Sequence, residues 1–69
     1  MSTLLRRQVA DADAKILAKE QELDRMLRKQ PDDLRKVADW VDDISALKQD
    51  IAALTLDVEA ARRWLAMSV

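Results

Sequence analysis

Apolar side chains recur along this chain at the spacing of helix faces. In the first part Leu5, Val9, Ala12, Ile16, Leu23 and Leu27 follow at intervals of three, four or seven, with Met26 at the edge of the row. Residues so spaced share one face of a helix. Lys19 and Glu20 interrupt the row, and their aliphatic stems can lie over an apolar face while the charged heads reach water. The second part is more regular. Val37, Ile44, Ile51, Val58 and Leu65 recur every seven residues, and Trp40, Leu47, Leu54 and Ala61 follow three residues after the first four of them. This is a heptad seam with β-branched residues prominent at one position and leucine recurring at the other, a pattern that predicts left-handed supercoiling.

Between the two periodic stretches lies one interruption, Gln30-Pro31-Asp32-Asp33. Proline disfavours helix at the residue before it and suits the first turn of a new helix. Asp32 and Asp33 then fall in that first turn and Arg28 and Lys29 in the last turn before it, each sign of charge where the helix dipole favours it. The spacing predicts helix 1 over about residues 3–29, a turn at 30–31 and helix 2 over about 32–67, all one domain spanning 1–69. The short connection predicts antiparallel neighbours; a single long helix kinked at Pro31 is the alternative.

A second apolar row runs along the later half of helix 2: Ala53, Leu56, Ala60, Trp64 and Met67, well rotated from the seam. A helix apolar on two sides needs two apolar neighbours. Helix 2 is also the longer, so in an antiparallel hairpin the residues from Arg62 to Val69 are expected to overrun helix 1 and leave Trp64, Leu65, Met67 and Val69 uncovered. A chain this short has a thin stability margin alone. The expected architecture is therefore all-α, an antiparallel two-helix hairpin that dimerises into a four-helix, coiled-coil-like bundle. Its core and dimer seam is Val37, Trp40, Ile44, Leu47, Ile51, Leu54, Val58 and Leu65.

Composition narrows the chemistry. The chain has no Gly, Cys, His, Phe or Tyr and a single Pro. Without Cys and His there is no disulfide framework, no usual zinc site and no Cys-His or Ser-His nucleophile pair. No Gly-rich phosphate loop is present. No cofactor, no metal and no enzymatic activity are expected. No apolar run reaches the roughly 18 residues of a membrane span, and no signal-peptide core follows Arg6 and Arg7, so a soluble, cytoplasmic protein without membrane contact is expected.

Twelve basic and thirteen acidic residues leave a net charge of −1, with +2 on residues 1–30 and −3 on residues 31–69. Asp43, Asp50 and Asp57 form an acidic row beside the seam, joined by Asp39 and Asp42. It either keeps the helix soluble and pairs with bases of helix 1, or docks on a basic patch such as a DNA-binding surface. Trp64, off the seam and flanked by Arg62 and Arg63, suits an interface, because Trp buries a large area at little entropic cost. Leu56, Arg62, Arg63, Trp64, Met67, Asp43, Asp50 and Asp57 are the candidate target-binding residues. Arg7, Arg25, Arg28 and Lys29 could touch nucleic acid, but Asp11 shares their face and no aromatic is there for base stacking, which disfavours that reading.

The Pro31 break, the seam from Val37 to Leu65 and the lack of Gly, Cys and His together resemble the small anti-quorum-sensing proteins of Pseudomonas phages, which are dimeric helical hairpins of similar size. The resemblance spans the whole chain without a diagnostic motif, so it transfers no individual residue. It implies an early infection protein of the host cytoplasm that binds the DNA-binding domain of a LuxR-type host regulator, an anti-activator, and that also blocks a pilus-assembly ATPase. Two other classes compete with it. One is a structural or scaffold coiled-coil component, and the other is a bundle-type RNA-binding regulator using helix 1.

Overall fold

The computed structural model describes residues 2–67, which form two helices, α1 (Ser2–Arg28) and α2 (Leu34–Met67), folded back on each other as a hairpin. Both begin and end within two residues of the predicted limits. The linker turns without glycine, and among the described residues none takes a positive φ. Asp33 is the N-cap of α2 rather than part of its first turn as predicted: its carboxylate accepts the Arg35 amide at 3.0 Å, and its carbonyl accepts the Val37 amide at 3.1 Å. A short acidic side chain just outside the helix satisfies amides that have no partner within it. At the other end of the linker Asp24 and Arg28 pair at 2.8 Å within the last turn of α1.

The helices meet along the predicted seam. Ile44, Leu47 and Val58 are buried, at 7%, 8% and 4% exposure. Val37, Trp40, Ile51, Leu54, Ala61 and Leu65 are half-buried, facing Leu5, Val9, Ala12, Ile16, Leu23 and Met26, which are half-buried as well. Thr55 joins this face, its hydroxyl satisfied by the Ile51 carbonyl at 2.7 Å. Lys19 does what its position in the apolar row suggests, being half-buried with its ammonium 3.6 Å from Asp50. Leu27 does not: it is 48% exposed, and Met26 takes the inward place beside Trp40.

A single helix pair makes a rod, 54 × 14 × 13 Å, with a radius of gyration of 16.0 Å. A compact chain of this length would have a radius of about 11 Å. The rod exposes 5717 Å². A compact monomer of the same mass exposes about 4400 Å², so roughly 1300 Å² lies outside what one globular layer would leave in water.

Two of the contacts between the helices mark the register. The Trp40 indole Nε1 donates to the Met26 carbonyl at 2.8 Å, and Arg62 pairs with Asp13 at 2.6 Å. About 16 Å of α1 precedes Asp13, whereas only about 8 Å of α2 follows Arg62 as far as Met67. The predicted C-terminal overrun of α2 is thus absent: α1 runs alongside the described tail, and Leu65 is half-buried. The greater length of α2, 34 residues against 27, stands at the turn end beside the linker. The linker takes up residues that simple length arithmetic had given to the helices. Val69 lies outside the described residues.

Candidate functional site

The surface that remains is built by the outward side of α2. Leu56, Trp64 and Met67 are 64%, 53% and 79% exposed, and Ala53 and Ala60 between them are exposed too. Helical spacing alone explains their fate. They lie across the helix axis from Ile51 and Val58, which α1 covers, and so remain more than half exposed. The second apolar row is therefore an outer face, exposed by its orientation and not by an overrun.

Asp39, Asp43, Asp50 and Asp57 lie between the two faces, and Asp42 is in line with the outer one. Asp39, Asp42, Asp43, Asp50 and Asp57 are all exposed. Among the described residues only Asp50 has an ion-pair partner, Lys19. Asp43 and Asp50 border a shallow depression with Lys19, Glu22 and Met26. Asp57 edges an apolar groove formed by Leu5, Val9, Ala12, Val58 and Ala61. The pairing of this row with helix 1 is thus confined to a single contact, and most of its charge faces outward.

The two arginines flanking Trp64 separate. Arg62 reaches across to Asp13 of α1 at 2.6 Å while its side chain stays 60% exposed, so it remains a surface residue at the edge of the hairpin. Arg63 stays outside, its Nε donating to the Glu59 carbonyl at 3.4 Å. Of the predicted target-binding residues, the fold therefore gathers Leu56, Arg63, Trp64 and Met67 on one outer side and leaves Asp43, Asp50 and Asp57 along the flank.

The structure also exposes apolar residues that periodicity did not mark, namely Leu4, Leu17, Leu34 and Val41. Leu34 and Val41 are seven apart on α2, rotated by about 100° from the seam, a spacing visible in the sequence but not continued beyond two members. Asp13 was invisible as a partner of Arg62 because the pairing depends on register. Among the described residues no group of Asp and Glu gathers in a way that could hold a metal ion, and no helix is long and apolar enough to cross a membrane. No protein-family model, no curated protein and no solved structure matches this chain.

Proposed function

We propose that the hairpin is a non-enzymatic, homodimeric binding module that inhibits a regulatory protein by occupying its nucleic-acid-binding surface. The observation that carries this reading is the outer side of α2, where bare apolar side chains run next to carboxylates that the hairpin leaves largely unpaired. Large exposed apolar residues rimmed by charge mark association surfaces. A negative row is complementary to the basic surface with which a DNA-binding domain meets phosphate, so bound protein and bound DNA would exclude each other. The resemblance to phage anti-quorum-sensing proteins supplies a concrete target, the DNA-binding domain of a LuxR-type regulator. It also points to a pilus-assembly ATPase as a second one.

The test is competition on operator DNA. Added protein should release a LuxR-type DNA-binding domain from its operator, and binding between the two proteins should weaken as salt rises. Neutralising the row with Asp43→Asn, Asp50→Asn and Asp57→Asn together should weaken the complex by about tenfold or more. Full inhibition by the neutralised protein would remove the acidic row from the mechanism, and no release by wild type would remove the target. A scaffold component is the second reading, supported by the same bare apolar row. It predicts a ladder of higher oligomers in sedimentation where the binding module predicts one closed dimer.

A further inference from the structure

Building on the self-association in that reading, we propose that the second copy of this chain docks on the outer face of α2 along Ala53, Leu56, Ala60, Trp64 and Met67. The two copies run antiparallel about a twofold axis at Ala60. Asp43 and Asp50 of the acidic flank lie well away from the axis and are left open for the target, while Asp57 falls on the rim of the interface.

The spacing of the row supports this geometry. Its steps are three, four, four and three residues, a sequence that reads the same in both directions from Ala60. A twofold dimer needs a self-complementary patch, in which residue i meets j and j meets i. Turning the row about Ala60 places Leu56 level with Trp64 of the second copy and Ala53 level with its Met67, each pairing occurring twice. Every large side chain meets a different partner, and Met67 meets a small one, as interdigitated layers require. At the axis Ala60 meets Ala60, the small pair that lets two helices approach closely. Had the row been centred on Trp64, identical bulky side chains would have collided there.

Charge agrees with the same axis. Glu59 and Arg63 lie on one rim of the row, and the Arg63 bond to the Glu59 carbonyl holds the guanidinium along that rim. The twofold brings Arg63 to within about 3 Å, along the axis, of the level of Glu59 in the second copy, on the same side, twice over. Area agrees as well. The hairpin exposes 5717 Å², roughly 1300 Å² above a compact monomer of its mass. That surplus exceeds the about 800 Å² that each partner contributes to a standard interface.

The chain contains no cysteine, so cross-linking tests the axis directly. Ala60→Cys under mild oxidation should give a disulfide-linked dimer as the main product. Ala53→Cys combined with Met67→Cys should also cross-link between copies, whereas either alone should not, because identical residues at these positions would lie about 21 Å apart. All three sites are exposed, so folding is not at stake. In sedimentation, Ala60→Glu should weaken the dimer by about 100-fold while Val41→Glu, on another face of α2, leaves it unchanged. A wild-type dimer that Ala60→Cys fails to link, or that Val41→Glu dissociates, would overturn this interface while leaving self-association standing. A wild type that stays monomeric at about 100 µM, a concentration at which any interface of standard size should be populated, would overturn both.

Discussion

Two faces of α2 carry similar side chains to opposite ends. Ile44, Leu47 and Val58, on the inner face, are almost fully removed from water, while Leu56, Trp64 and Met67, on the outer face, are more than half exposed. Both rows repeat at helical intervals, and neither contains a charge. What separates them is the presence of a neighbour: the linker delivers α1 to one side only, and a hairpin has no third helix. An apolar row in a two-helix chain therefore has two possible meanings, core or contact surface, and which one applies follows from direction around the axis, not from composition.

The sharpest way to test that difference is to place a charge on each face. Val58→Asp should abolish the folded hairpin or destabilise it by about 3–5 kcal/mol, since an unpaired carboxylate would be buried against α1. Leu56→Asp should leave the far-UV circular dichroism of dilute protein unchanged. Equal melting curves for the two variants would erase the distinction between the faces. Trp40 offers a finer measure on the inner face. Trp40→Phe keeps an aromatic ring but removes the bond to the Met26 carbonyl, which otherwise accepts only the Lys29 amide at 3.2 Å among the described residues. The expected loss is about 1 kcal/mol in chemical denaturation. A loss of similar size, about 1 kcal/mol, is expected for Asp33→Ala, which uncaps α2. The smallest effect belongs to the exposed Arg62–Asp13 pair, where Arg62→Ala should change stability by at most about 0.5 kcal/mol. A larger loss would mean that this pair, and not the apolar seam, sets the register.

Much of the inner face is legible in the sequence. The heptad from Val37 to Leu65 identified every buried residue of α2, because a seven-residue repeat can be satisfied only by a helix with a continuous neighbour. The error at Leu27 has a local cause. Near the end of α1 the Trp40 indole reaches over to the Met26 carbonyl, and Met26 takes the inward place that spacing alone gave to Leu27. The expected tail overrun failed for a different reason. Helix lengths alone leave out the linker, whose residues move the surplus of α2 to the turn end. The shared exposure of Leu56, Trp64 and Met67 is legible from their spacing, whereas the pairing of Arg62 with Asp13 is not, because the two lie 49 positions apart in sequence.

Pattern alone determined that this protein consists of two helices broken at Pro31, that one face of the second is core, and that a second face of it is apolar as well. These properties follow from periodicity and local backbone preference, which act over a few residues. Tertiary structure alone decided the register of the two helices, the pairing of Arg62 with Asp13, and the pairing of Asp50 with Lys19. These depend on how the linker sets one rod against the other, a geometry to which distant residues contribute jointly and no local window contains.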